Sequence, residues 1–182
     1  MPLGTPAPAC GACLAKPPAF DATNAVWQYG FPLDRLVRLL KFHHRLASAD
    51  FFAHTMLAGV RPEGSVIVPV PLSPQRLRER GFNQAVEIAR PLARALALPL
   101  DLRSLVRVHE TVPQSRLPWR ARQGNVRCAF ACNSDFSGKP VIVVDDVMTS
   151  GATLNAVAST LKDHGASRVT NWVAARTVRR IT

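Results

Sequence analysis

The chain has 182 residues, a formal net charge of +11 and 47% hydrophobic content. That length suits one domain of ordinary size, and the apolar content supports a packed core, which excludes wholesale disorder. The apolar stretches around Val66–Leu72 and Pro140–Val144 fall far short of the ~20 residues that cross a bilayer, so no membrane partner is expected.

Met1–Ala9 has neither the basic start nor the apolar h-region of a signal peptide. Of the 23 basic residues, 19 are Arg. Arg presents a planar fork of donors that matches phosphate and carboxylate oxygens. The surplus suggests phosphorylated small molecules or nucleic acid, although a GC-rich coding bias also replaces Lys by Arg.

Residues 1–25 are rich in Pro and Ala, with Cys10 and Cys13 in a C-x-x-C, and read as an irregular appendage. Leu33, Leu36, Val37 and Leu40 recur at helical spacing behind Pro32. A second helix is expected over Ala47–Leu57, closed by Gly59. Ser65–Val70 is a short β-branched run and reads as a buried strand. Arg76, Arg78 and Arg80 follow within five positions.

The next helix starts near Asn83 and buries Val86, Ala89, Leu92, Ala93 and Leu96, with a kink or early break expected at Pro91. Arg103, Arg107, Arg116, Arg120, Arg122 and Arg127 form a second basic cluster. Between His109 and Gly124 it shows little periodicity and reads as a long loop. Arg127–Ala131 and Val141–Val144 are expected strands, followed by a loop over Asp145–Ala152. A helix then carries Leu154, Val157, Ala158 and Leu161 on one face and ends at Gly165, before a last strand over Val169–Ala175. Short apolar strands alternating with amphipathic helices predict an α/β fold with a mostly parallel sheet flanked by helices.

The segment VIVVDDVMTSGAT, Val141–Thr153, carries most of the chemistry. It is a buried strand ending in two carboxylates, then a loop of small and hydroxyl residues that opens a helix. Ligands of open α/β sheets bind at the carboxyl ends of strands. A helix N-terminus presents unpaired N–H groups to a phosphate. Gly151 permits close backbone approach, and Thr149, Ser150 and Thr153 add hydroxyls. Asp145 and Asp146 stand where ligand hydroxyls or a metal ion would sit. No Walker sequence is present.

All thirteen positions of this segment resemble the signature with which type I phosphoribosyltransferases bind phosphoribosyl pyrophosphate (PRPP). Ile67–Ala85 (IVPVPLSPQRLRERGFNQA), Gln114…Arg122…Asn125 followed by Phe130, and Leu39–Phe42 further resemble the ComF/GntX group, over about Cys10–Arg176. The resemblance implies a type I phosphoribosyltransferase fold with a flexible hood at about 105–127, behind an N-terminal zinc-finger remnant over 1–25. It implies that Asp145 and Asp146 hold the ribose and that Thr149, Ser150, Gly151, Ala152 and Thr153 wrap the 5-phosphate. Pro71, Leu72 and Ser73 would meet the pyrophosphate, with Arg80, Arg122, Gln114 and Lys41 as further pyrophosphate or hood candidates; Arg76 and Arg107 are weaker ones.

Phosphoribosyl transfer builds positive charge on the ribose and negative charge on the departing pyrophosphate, which Mg²⁺ and Arg can neutralise. The implied activity is transfer to an unidentified nitrogenous acceptor. Thr149 stands where some purine-salvage relatives carry an acid, a departure that argues against hypoxanthine–guanine-type chemistry. None of His43, His44, His54, His109 and His164 stands out as a general base; His109, in the hood, comes nearest.

Cys10 and Cys13 resemble the end of the group's zinc finger, but structural zinc needs four ligands. The second pair would lie before this start or be lost, and Cys128 and Cys132 are poorly placed to replace it. Two reduced thiols in a cytoplasmic protein are the plainer reading. Two other functions stand beside the enzyme: a PRPP-binding regulatory module without turnover, and a competence accessory that touches single-stranded DNA or a DNA-processing protein. Trp27, Trp119 and Trp172 are too scattered to form a stacking set. An oligomer is compatible with all three.

Overall fold

A computed structural model describes residues 11–42, 46–108 and 129–177. Its organising unit is a four-stranded parallel sheet of β1 (Ala22–Gln28), β2 (Val66–Pro69), β5 (Pro140–Met148) and β6 (Arg168–Arg176), in the order β1-β6-β5-β2. The central strands are near-continuous apolar runs because both faces are covered. On one face Val66, Val68, Val141, Val143, Val169 and Val173 pack against Leu154, Val157, Ala158 and Leu161 of α6 (Ala152–Asp163). On the other, Ile67, Ile142, Val144 and the fully buried Trp172 meet α2 (Leu33–Phe42), α3 (Leu46–Ala58) and α5 (Gln84–Leu96). The period-two alternation of each strand thus divides its side chains between two cores.

The N-terminal appendage expected over 1–25 is shorter in the structure. A short helix α1 spans Gly11–Ala15, and residues 22–25 belong to edge strand β1, which pairs with β6 from Ala22↔Thr170 onward. Asp21 fastens this strand: its backbone N–H donates to the Val169 carbonyl (2.9 Å), and its Oδ2 accepts from the Val169 N–H (2.7 Å). Its other oxygen pairs with Lys162 of α6 at 3.0 Å. β1 was hidden in the sequence because ATNAVWQ lacks a run of β-branched residues.

Pro91 does not end α5, which runs to Leu96. Ile88, Ala89, Leu92 and Ala93 on both sides of it are buried, and this burial offsets the hydrogen bond that Pro removes. A helix absent from the sequence reading, α4 (Pro74–Arg80), fills the basic stretch after β2. Its signals were present: Ser73 caps it, Pro74 opens it, and Gly81 closes it at φ 76°.

In a separate two-stranded sheet, β3 (Leu105–Arg107) and β4 (Phe130–Cys132) pair antiparallel and flank residues 109–128. The hood expected at about 105–127 therefore begins on a strand, and residues 109–127 of it lie outside the described residues, as do 127–128 of the expected strand. Among the described residues no helix is long and apolar enough to cross a membrane.

Candidate ribose-phosphate site

Strand β5 carries the site at its carboxyl end, and it is longer than the sequence predicts. Asp145 and Asp146 lie within the strand, not in a loop, because β6 pairs with β5 as far as Met148↔Arg176. Each carboxylate turns onto the neighbouring backbone. Asp145 Oδ1 accepts from the Asp146 N–H and Asp146 Oδ1 from the Val147 N–H, both at 2.9 Å. These two hydrogen bonds fix the orientation of the pair.

Lys41 separates the two acids. Leu33, Val37 and Leu40 bury one face of α2, which sets its last turn over the end of β5. From there the Lys41 ammonium reaches Asp146 Oδ2 at 2.6 Å. Burial alone would lower the Lys41 pKa, but the Asp146 carboxylate against it holds it above the ordinary value. Burial alone would likewise raise Asp146; Lys41 and the Val147 N–H outweigh this and hold it below the carboxylate range. Asp145 is half-buried beside this anion. Burial first, and the Asp146 charge second, push its carboxyl up to about 8.

Arg80, on the last turn of α4, joins the same electrostatic group. Burial and the neighbouring Arg76 lower its pKa, while Asp146 opposes them. Its guanidinium carbon lies 5.5 Å from the centroid of the Phe42 ring, within cation–π range. The structure thus brings together Asp145, Asp146, Lys41 and Arg80. The sequence reading aimed Lys41 at the pyrophosphate; here its ammonium is bonded to an acid of the pair. Phe42 entered the sequence analysis only as the last residue of Leu39–Phe42, with no role of its own, since a Phe at a helix end gives no signal of its neighbours.

The loop beyond the acids has the form that an anion requires. Gly151 adopts φ 75°, ψ 0° immediately before α6, and a Cβ there would stand 2.7 Å from Met148 Cε. The positive φ calls for glycine, whereas the contact is with the flexible end of Met148, which could give way. Gly151, the residue that precedes α6, provides no side-chain cap. Thr149 is exposed, Ser150, Ala152 and Thr153 are partly so, and Ser150 Oγ accepts from the Ala152 N–H at 3.4 Å. The Met148 carbonyl accepts from the Thr177 N–H (3.0 Å) and hydroxyl (3.2 Å), which ties down the strand end just before the loop.

Pro71 and Leu72 are half-buried after β2, and the Ser73 hydroxyl is used as the cap of α4, accepting from the Arg76 N–H at 3.4 Å. Gln114, Arg122 and His109 lie outside the described residues, as do Cys10 and Cys128. Cys13 sits on α1 and Cys132 in β4. Arg107 of β3 lies over the Phe130 ring at 5.4 Å.

A covered parallel sheet whose strand ends in paired acids, followed by a glycine-hinged loop and a helix N-terminus, defines a phosphoribosyltransferase-like protein. Residues 83–178 match the model of the phosphoribosyl transferase domain. The chain is 36% identical over 186 residues to "DNA utilization protein YhgH" of Salmonella typhi, covering 98% of this chain and 82% of that one. It is 33% identical over 181 residues to "Competence protein F" of Haemophilus influenzae, covering 92% and 78%. With "Competence protein ComFC" of Bacillus subtilis it shares 38% identity over 101 residues, covering 55% and 39%. The chain belongs to the ComF-type family of phosphoribosyltransferase-like proteins.

The asymmetry of the acid pair has a measurable consequence. A carboxyl raised to about 8 in the folded protein keeps its proton while the unfolded chain has lost it, so its contribution to stability falls as pH rises from about 4 to 8. Asp145→Asn should gain on the wild type over that window, by at most about 1.4 kcal/mol per pH unit. Urea unfolding of both proteins at pH 5 and pH 8 measures this, and a constant difference would refute the assignment.

Proposed function

We propose that the protein binds PRPP at the end of β5 and transfers its phosphoribosyl group to a nitrogenous acceptor, releasing pyrophosphate. The observation that carries this reading is the pre-set pair of Asp145 and Asp146 directly ahead of the Gly151-hinged loop. A sugar phosphate needs both ends of such a site: acceptors for hydroxyls and N–H groups for a phosphate.

Asp146, anionic beside Lys41, accepts hydrogen bonds from ribose hydroxyls; Asp145, whose carboxyl is pushed up to about 8, can also donate. The backbone of Thr149–Thr153 takes the 5-phosphate. In the transfer the acceptor nitrogen forms its bond to C1 as the C1–oxygen bond to pyrophosphate breaks, and the acceptor's proton passes to water. The Asp pair faces the positive charge that grows on the ribose, and Arg80 supplies positive charge for the leaving group.

Magnesium prefers hard oxygen donors. Asp145, the member of the pair not bonded to Lys41, would hold such an ion only by giving up its proton to water. Bound with the pyrophosphate, the ion would supply further charge neutralisation. Gln114 and Arg122 stay as sequence-based candidates for pyrophosphate contact.

Asp145→Asn combined with Asp146→Asn should abolish PRPP binding measured by calorimetry with Mg²⁺. Unchanged affinity would sink the site assignment. Pyrophosphate release across nucleobases and amines then separates an enzyme from a PRPP-binding regulator, which persistent silence would favour.

A second reading, a DNA-handling accessory, has one structural observation behind it besides the relatives' names. Arg35 and Arg38 are exposed on α2, and Arg35 lies 5.2 Å from the centroid of Phe31, a ring 75% exposed. An exposed aromatic interleaved with cations suits single-stranded nucleic acid. Oligonucleotide affinity should fall steeply with salt, and Arg35→Ala/Arg38→Ala should flatten that slope by about 2. Salt-independent or undetectable binding would remove this reading.

A further inference from the structure

We propose that the outer face of α2 is a docking surface for an acidic amphipathic helix of a partner protein. The proposal stands apart from the ribose-phosphate reading and does not depend on it.

One face of α2 belongs to the core, through Leu33, Val37 and Leu40. A surface helix ordinarily turns charged and polar groups outward on the opposite side. Here the exposed residues of α2 are Arg35, Arg38, Leu39 and Phe42. Their spacing of three or four places all of them on one stripe. Phe31 extends the stripe ahead of the helix, since the Arg35 guanidinium carbon lies 5.2 Å from its ring centroid. At the far end Arg80 of α4 stands 5.5 Å from the Phe42 centroid. The stripe is roughly 15 Å long at the helical rise, room for about three turns of a partner helix.

Phe31, Leu39 and Phe42 are 75%, 37% and 62% exposed. Single exposed apolar residues need no cause; three in line on one helix face mark a contact surface. Aromatic and aliphatic anchors edged by Arg are the usual make-up of a protein interface. Charge then selects the occupant. The two exposed charged residues of α2 are both Arg, its one acid, Asp34, is partly buried, and Lys41 is bonded to Asp146. A second copy of this face would set Arg against Arg, which argues against self-association through it.

A helix that carries Glu or Asp beside an apolar stripe matches both components. Its carboxylates meet the guanidinium forks, and its apolar side chains at i, i+3, i+4 and i+7 cover Phe31, Leu39 and Phe42. Single-stranded nucleic acid would use the cations and the Phe31 ring, but it gains little from an aliphatic Leu39 at the centre.

The probe is a designed labelled peptide of about 18 residues, with Leu and Phe at that spacing and Glu on its other face. Its control is a scrambled peptide of the same composition, which keeps the charge and loses the stripe. Fluorescence anisotropy with the full chain should show the amphipathic peptide binding at least about tenfold more tightly than the scramble. Phe31→Ala and Leu39→Ala should each weaken it about fivefold or more, with urea midpoints close to wild type. Arg35→Glu with Arg38→Glu should transfer the preference to a peptide with Lys in place of Glu.

Equal affinity for peptide and scramble, or no binding of either, overturns the proposal on the wild type alone. Unchanged affinity in Phe31→Ala and Leu39→Ala overturns it as well. An oligothymidylate that binds more tightly than the peptide at equal salt, and displaces it, gives the face to nucleic acid instead. PRPP affinity enters none of these results, so the ribose-phosphate site and the docking face stand or fall separately.

Discussion

The ion pair between Lys41 and Asp146 is the contact on which the rest of the site depends. Two adjacent carboxyls at the end of a buried strand repel each other and resist desolvation. Without a cation beside them, both would tend toward the neutral form. Lys41 resolves this unevenly, because its ammonium bonds one oxygen of Asp146 and only the field of its charge reaches Asp145. One acid is held as an anion and the other is pushed up to about 8. Charge separation of this kind gives two chemically different groups from identical residues.

That contact also explains why the helices on one face of the sheet matter to the chemistry. α2 reaches the end of β5 only because Leu33, Val37 and Leu40 share a core with Val144 and Trp172. Packing of this apolar face sets the position of Lys41, and the same turn delivers Phe42. α4 adds Arg80, its length fixed by the Ser73 cap and the left-handed Gly81. The opposite face, with α6, presents the Gly151 loop. Each layer of the fold thus contributes one part of the site, and both layers meet at Asp145–Asp146.

Much of this was legible in the sequence, for reasons that can be named. The strands β2, β5 and β6 are buried on both faces, so their apolar runs stand out. The acid pair and Gly151 are contiguous with β5, and a contiguous motif survives reading in one dimension. β1 was missed because its residues are only partly buried and carry few strand-forming side chains. The extent of β5 past Val144 was missed because paired Asp residues disfavour strands, whereas tertiary pairing with β6 retains them. The partner of Lys41 was invisible, since 105 positions separate it from Asp146 and only the packing of α2 brings them together. Phe42 and Arg80 met for the same reason.

The central claim is that the end of β5 holds a ribose phosphate, with the acids at the sugar and the Gly151 loop at the phosphate. A crystal soaked with PRPP and Mg²⁺ tests it most directly. The account predicts density for the 5-phosphate against the backbone N–H groups of 149–153, with ribose hydroxyls on Asp145 and Asp146. PRPP bound elsewhere on the molecule, or a soaked crystal with this site empty and Lys41 still closed on Asp146, would contradict it.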